Sequence, residues 1–437
     1  MSVKVSIIMP SLNVAPYIRQ CVESVMNQTL QEIEILCIDA GSTDGTREII
    51  LELAAQDERI RLIDSTIKSY GYQVNCGIDE ARGEYIGVVE TDDYVSPNMF
   101  SHLYDLTQKY ENPDVAHADM IWVLGYNTHQ ICHIFNRKHK KFYFKRIDNQ
   151  SALFTHLCDG NIWDAIYRRE FLLKNRIRCN ESLGAAFQDI GFLQQVHTLA
   201  TSFVYSDKPL YNYRVNREGA SSSKHNHVCF LRQEWKFLME SNLINRPEWR
   251  THRNFVYARL IQCFVGAVNR CIRLSENLDW RRDAEWLLNY VHECVEKGIL
   301  AEEYLTQEER QQLYLLMYSM DSYIDYVRAC SQMKQHHEEA LLQWTESGVL
   351  IFGAGIRGRN VLALLRQHDR NVLGFSDNDE HLWGTMIDGV PVIAPEDIKK
   401  HLGKGSVIIC NKLHWEEILD QLHQLGFSAE KVHVYNP

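Results

Sequence analysis

The chain has 437 residues, more than one ordinary domain holds, and at about 150 residues per domain it suggests about three. Hydrophobic residues make up 45% and charged residues 24%, which excludes a wholly disordered or collagen-like chain and leaves globular domains. The formal net charge of −11, from 46 Lys and Arg against 57 Asp and Glu, argues against a nucleic acid partner, because non-specific binding to a polynucleotide depends on basic residues neutralising phosphates.

The N-terminus goes straight into the apolar run Val3 to Met9, without a charged region and hydrophobic export segment, and no apolar stretch approaches bilayer length. Three more short runs follow, Ile33 to Ile38, Ile60 to Ile63 and Tyr85 to Val89. Between them, Ile18, Cys21, Val22, Val25 and Met26, then Ile49, Ile50 and Leu53, recur at helical spacing. Alternating strands and helices of this kind predict a parallel sheet with crossover helices. Ligands of open α/β sheets collect at the carboxyl ends of the strands, so Pro10 to Asn13, Asp39 to Thr46 and Glu90 to Asp93 are expected around one crevice. The twelve cysteines form no C-x-x-C pair, which removes support for zinc ribbons and dithiol redox motifs. Those in apolar runs, such as Cys37, read as small buried hydrophobes, and reduced thiols of a cytoplasmic protein account for the set.

From about Asn226 to Trp344 the chain is rich in Leu, Glu, Gln, Arg and Trp with one proline, Pro247, and reads as helices. A second α/β pattern begins at Gly348, with strands at Val349 to Phe352, Val372 to Phe375, Val407 to Cys410 and Val432 to Tyr435. The expected division is therefore 1–225, 226–345 and 346–437.

Glu90-Thr91-Asp92-Asp93 follows the fourth run, and residues two apart on an extended chain point the same way, so Glu90 and Asp92 converge. Two carboxylates at a strand end suit Mg²⁺ or Mn²⁺ alongside substrate phosphates. The same residues also read as an acidic turn before a helix. Asp39 suits either a base N–H or ribose hydroxyl, or the turn it begins; Thr43 and Asp44 read as helix caps.

Together, VSIIMPSLN (Val5 to Asn13), IDAGSTDGT (Ile38 to Thr46), ARGEYIGVVETDD (Ala81 to Asp93), IWDAIYRREFL (Ile162 to Leu172) and FQD (Phe187 to Asp189) resemble the family 2 glycosyltransferases. The resemblance covers about the first 220 residues. It implies a GT-A fold that binds a nucleotide diphosphate sugar and transfers the sugar, with inversion, to a glycan or glycolipid acceptor, in surface polysaccharide synthesis. By position, Pro10 and Asn13 lie at the nucleotide mouth, Asp39 corresponds to the nucleoside-contacting carboxylate, and Asp92 to the metal-binding aspartate of D-x-D, with Glu90 as that motif's first member. The family's second aspartate after Asp39 is Ala40 here, and Gln73 to Cys76 replace an Ala-Arg-Asn stretch. Asp189 corresponds to the aspartate of the acidic E-D motif, preceded by Gln188. In an inverting transfer such a carboxylate removes the acceptor proton; read without the family, Asp189 is a helix cap.

Trp163 and Asp164 suit either a sugar or acceptor pocket, or core and turn. Arg214 suits a diphosphate contact or a salt bridge, near Ser221 to Ser223, where the family often closes over phosphates. The segment Arg137 to Arg146 concentrates basic and aromatic residues; it reads as an exposed hairpin, or as a peripheral contact with anionic lipid or glycan. Gly353, Gly355 and Gly358 follow a strand and open a helix, with Asp377 at the end of the next strand, the context of a nucleotide-binding turn. The stretch Phe375 to Ile398 resembles small Rossmann-like domains attached to sugar-modifying enzymes. No hydride-transfer site accompanies it, and NAD dependence is not implied. A catalytically silent sugar-nucleotide-binding scaffold, or an oxidoreductase built on the last domain, are the competing readings.

Overall fold

The four apolar runs of the N-terminal region become the parallel half of one sheet. A computed structural model describes residues 2–126, 129–135, 142–148, 161–215, 227–274, 277–300 and 302–435. Its first elements are β1 (Val5–Ser11), α1 (Ala15–Met26), β2 (Ile33–Asp39), α2 (Thr46–Ala54), β3 (Ile60–Asp64), α3 (Tyr70–Glu80), β4 (Tyr85–Val88), β5 (Tyr94–Val95) and α4 (Met99–Lys109). They are followed by β6 (Val115–Tyr126), β7 (His129–Phe135), β8 (Arg146–Asp148), β9 (Ala165–Arg168), α5 (Arg169–Asn175), α6 (Gln188–Leu199) and β10 (Ser202–Val215). Helices α7 (His227–Glu240), α8 (Pro247–Leu274), α9 (Arg281–Glu296), α10 (Gln307–Tyr318) and α11 (Met320–Trp344) come next. The last elements are β11 (Val349–Phe352), α12 (Ile356–Gln367), β12 (Val372–Ser376), β13 (Met386–Ile387), β14 (Val390–Ile393), α13 (Ile398–Leu402), β15 (Ser406–Ile409), α14 (Trp415–Gln424) and β16 (Val432–Val434).

The chain divides into two compact units: one built by β1–β5, most of β6, β8–β10 and α1–α10, the other by the end of β6, most of β7 and the chain from Tyr326 onward. The first unit's sheet runs β3-β2-β1-β4-β9-β6-β10-β5. β3, β2, β1 and β4 are mutually parallel, and β9 enters antiparallel to β4. Every residue of β1 and β2 is buried, as expected of strands covered on both faces. α1 covers them with Ile18, Cys21, Val22 and Val25, the spacing of one helical stripe. Burial pushes the Cys37 thiol up to about 12, so it packs as an inert hydrophobe. The register sets Ser11 beside Asp39, and the chain order places the ends of β1, β2 and β4 side by side.

Helices α7 to α10 belong to this first unit. α7 packs on α6, α8 and α9 and buries Val228, Leu231, Trp235 and Leu238. One expectation needs correcting here. Within α8, His252–Leu274 is long and apolar enough to cross a membrane by length and composition, although 56% of its most apolar window is buried inside the unit. Periodic apolar side chains such as Leu260, Phe264 and Val268 give it that composition, which is also how a core helix reads.

The second unit carries a six-stranded sheet, β13-β14-β12-β11-β15-β16, parallel except for β13. Alternate residues of β11 serve two cores: Val349 and Ile351 pack with Leu362 and Leu365 of α12, Leu350 and Phe352 with Ile398, Ile418 and Leu422. This period-2 division explains the uninterrupted apolar run.

Close approach of α3 to β1 requires a glycine at residue 77, where a Cβ would stand 2.5 Å from Ile8 Cγ2. Gly77→Ala is expected to destabilise the protein by about 1–3 kcal/mol through overpacking, measured as a lower urea midpoint with an unchanged m-value.

Candidate active site

The crevice is held open by hydrogen bonds between the loops that follow β1 and β2. Asn13, at φ 53, accepts through its side chain from Thr43 N (2.9 Å) and donates its backbone N–H to Ser42 Oγ (2.9 Å). Asp44 accepts from Ala15 N (2.9 Å) with one oxygen and from Thr46 N (3.1 Å) with the other, serving the first turns of α1 and α2 together. Val14 N donates to Thr46 Oγ1 (2.8 Å). Neither helix has a side-chain cap of the ordinary local kind; the neighbouring loop satisfies these groups instead. Gln73, one of the departures from the family pattern, donates its amide to Ser11 O (2.8 Å) and Ile38 O (2.6 Å) and so ties the two strand ends.

Asp39 is 1% exposed. Its oxygens accept from Gly41 N, Ser42 N (both 3.1 Å) and Ser42 Oγ (2.5 Å), so its own turn fixes its orientation. Ala40, beside it, is buried. Pro10 is buried in β1, and its carbonyl accepts from Thr91 Oγ1 (2.7 Å), tying the end of β1 to the acidic segment.

Glu90, Asp92 and Asp93 bring a carboxylate oxygen each to within 4.8 Å of one another. The convergence expected of Glu90 and Asp92 is present, but a turn produces it: Asp93 N donates to Glu90 O (3.0 Å). That turn also admits Asp93, which strand alternation left out. Asp93 accepts from Tyr211 O–H (2.9 Å) and Arg214 N (2.7 Å), both from β10. Arg214 also donates to the Asp92 carbonyl and to Gln20, and its guanidinium lies 4.8 Å over Tyr94 and 5.3 Å over Tyr17. It is therefore a clamp on the acidic turn. Burial first, then the mutual repulsion of the carboxylates, raises Glu90 and Asp93 well above the ordinary carboxylate range. An all-oxygen donor set whose charges repel one another fits a hard divalent cation. With Asp93 bonded to β10, Glu90 and Asp92 are the residues that would hold it.

Asp189 stands in the first turn of α6, whose preceding residue Phe187 adopts a left-handed conformation without a side-chain cap. Burial raises the pKa of Asp189, while the helix-end N–H groups and Arg259 oppose that rise. Burial first, with the charge of Asp189 among the smaller causes, raises Glu90, Tyr70 and Tyr213, so the base candidate lies within electrostatic reach of the acidic turn. Tyr70 and Tyr211 escaped sequence reading, for aromatic residues carry no motif; only their place at the start of α3 and in β10 brings them to the carboxylates. The loop before α6 is tied to the start of α3 by Tyr70 N to Gly184 O (2.9 Å) and Gly184 N to Lys68 O (2.8 Å). Gln188 is 1% exposed and donates its amide to Ser182 O (3.2 Å) and Gly184 O (3.3 Å) while accepting from Ala186 N (2.6 Å). The departure at this position thus has a structural task.

Trp163 and Asp164 are separated in role. Trp163 stacks on Tyr211 and Tyr213 at 4.2 and 5.1 Å, behind the acidic turn. Asp164 is fully buried, bonded to His117 Nδ1 (3.1 Å) and to Asn161, and lines no open space. Of the basic segment, 137–141 lie outside the described residues, as do Ser221 to Ser223; Phe142 is buried, and Arg146 donates to Tyr110 O (2.8 Å). In the second unit Gly353 has φ 109, Gly358 admits no Cβ because Gly353 O occupies that position, and Gly355 faces open space. Asp377, at the end of β12, accepts from Ala354 N (2.8 Å) and Asp379 N (3.0 Å), so it braces the glycine turn itself.

An α/β domain with an acidic turn at the carboxyl edge of its parallel strands, and a carboxylate at a buried helix end within electrostatic reach of it, is the class this geometry defines. Residues 6–174 match the family described as Glycosyl transferase family 2. GlyG of Streptococcus pneumoniae, a glycosyltransferase, is 31% identical over 49% of this chain and 71% of its own. EpsJ of Bacillus subtilis, an uncharacterized glycosyltransferase, is 46% identical over 48% of this chain and 61% of its own. The chain belongs to the family 2 glycosyl transferases. It spans 31% to 71% of the lengths of the curated relatives it first matches. S. aureus TarS 1-349, solved with UDP-GlcNAc, shares the fold at 20% identity, covering 76% of this chain and 92% of that one with a TM-score of 0.52. Residues 345–433 match a family described as C2185-like, N-terminal.

Because a carboxylate has no N–H to donate, Gln188→Glu would leave the carbonyls of Ser182 and Gly184 without this donor. It is expected to cost about 1–3 kcal/mol, read as a lower Tm and faster proteolysis at the loop before α6.

Proposed function

We propose that the chain transfers a sugar, with inversion, from a nucleotide diphosphate sugar to a hydroxyl of a glycan or glycolipid acceptor, in surface polysaccharide synthesis. What supports this reading is the convergent Glu90–Asp93 turn at the sheet's carboxyl edge, with Asp189 on α6 within electrostatic reach of it. Pro10, Asn13 and Asp39 bind and orient the nucleoside, and Trp163 backs the sugar pocket. Arg214 and Tyr211 keep the acidic turn in place. The acceptor oxygen attacks the anomeric carbon from the face opposite the diphosphate; its proton passes to Asp189, and the breaking C–O electron pair leaves with the phosphate. A Mg²⁺ or Mn²⁺ ion at Glu90 and Asp92, when bound, supplies Lewis-acid stabilisation of that leaving charge.

The division of labour follows the same reading: 1–225 as the GT-A transferase, 226–345 as a helical connector or acceptor-associated region, and 346–437 as a Rossmann-like, nucleotide-binding-type module at Gly353, Gly355, Gly358 and Asp377. A cytoplasmic location, peripheral to the inner face of the membrane, suits a glycolipid acceptor.

Asp189→Asn is expected to lower transfer by about 10²–10⁴-fold in a panel of labelled nucleotide sugars while nucleoside diphosphate binding persists; retained transfer removes Asp189 as base. Because the ionised form is the active one and its pKa is raised, kcat/KM should fall on acidification at a pH above the ordinary aspartate value of about 4. Chelation is expected to stop transfer and added Mg²⁺ or Mn²⁺ to restore it; full activity in chelator rejects the roles given to Glu90 and Asp92.

A further inference from the structure

Glu234, on α7, takes no part in the transfer chemistry described above, yet it is 1% exposed and neither carboxyl oxygen has a partner in hydrogen-bond geometry. Its polar neighbours are the Asn180 side chain and the backbone of Gly191. Gly191 lies in the first turn of α6, two residues beyond Asp189. A Cβ there would run into Glu234 Oε1 and stand 2.7 Å from its Cδ, so the glycine leaves a notch that the carboxyl occupies. That turn contains N–H groups without intrahelical acceptors, and no side chain caps it locally.

We propose that Glu234 is a positioning residue for Asp189: seated from α7 in the notch at Gly191, its carboxyl fixes the helix end from which the base reaches the acceptor hydroxyl. The inference rests on Asp189 being the base. Burial, aided by the charge of Asp189, pushes Glu234 up to about 8. Among the described residues, the titratable groups facing it are Asp189 from α6 and Cys179 from the segment before it, and none comes from α8 or α9, which also pack on α7. Near neutrality the carboxyl is therefore mostly protonated, and the negative charge stays on the base.

Glu234→Gln keeps the shape of the protonated side chain, and Glu234→Ala empties the notch. With the donor and acceptor that the transfer panel identifies, Glu234→Ala is expected to lower kcat at least about tenfold through misplacement of the base. The Kd for that donor's nucleoside diphosphate with Mn²⁺ should stay near wild type, and Glu234→Gln should restore most of kcat at neutral pH. A raised folded-state pKa favours stability below the ordinary glutamate value of about 4.3 and loses that contribution as pH rises through the folded value. Glu234→Gln should accordingly raise Tm relative to wild type above pH 8 and leave it unchanged near pH 4. Wild-type kcat in Glu234→Ala overturns the proposal, as does nucleotide binding that falls along with kcat, or a glutamine variant as impaired as the alanine one. Asp189→Asn measured beside them separates the two readings. Transfer surviving in it removes the base, and Glu234's role with it; transfer lost in it but intact in Glu234→Ala removes Glu234 alone.

Discussion

The arrangement depends on like charges gathered at one edge of a sheet. Two unit charges about 5 Å apart at an effective dielectric of about 20 repel by roughly 3 kcal/mol, and three carboxylates meet that condition within the Glu90–Asp93 turn. A folded chain keeps such a cluster only if other contacts impose it. Here β10 imposes it: Tyr211 and Arg214 hold Asp93 and the turn's backbone, while Thr91 fastens the turn to β1. The repulsion left over is what a bound cation relieves.

Neighbouring segments supply the rigidity that the loops themselves lack. Asp44 serves two helices, and the Gln73 amide joins two strand ends. Asn75 fastens the chain at Cys179 to α3, accepting from Cys179 N (2.9 Å) and donating to Cys179 O (3.0 Å). All but the Asp44–Thr46 bond span large sequence separations, which is why a crevice made of loops has a fixed shape.

Much of the fold was legible because apolar periodicity survives in a single sequence. The run Val349 to Phe352 became β11 residue for residue, and the runs at Ile33 and Ile60 became β2 and β3 with one residue added to each. The acidic segment was legible both as a carboxylate pair and as a turn before a helix, but not that the turn itself makes the carboxylates converge, since alternation along an extended chain gives Glu90 and Asp92 and omits Asp93. What escaped was what depends on partners remote in sequence. Asp164 is motif-like in sequence yet closed in by His117, and Tyr211 shows no local sign of the Asp93 carboxylate it bonds.

Departures from a family pattern acquire meaning in the same way. Gln188 stands where an acid is usual, and its amide donates to two carbonyls of the loop that carries the chain from α5 to α6. An amide there removes one more negative charge from a region that already holds Asp189, Glu90 and Asp92, and it adds a donor that a carboxylate lacks. Glu90 retains the charge of the aspartate it replaces and adds a methylene, which the turn at Asp93 accommodates within the same 4.8 Å cluster. Exchange of charge for hydrogen bonding at residue 188, and conservation of charge at residue 90, are thus opposite solutions to one electrostatic constraint. The helices beyond residue 226 extend that constraint, because α7 and α8 both pack on α6. The carboxylate at its first turn is therefore set by the helical region as much as by the sheet.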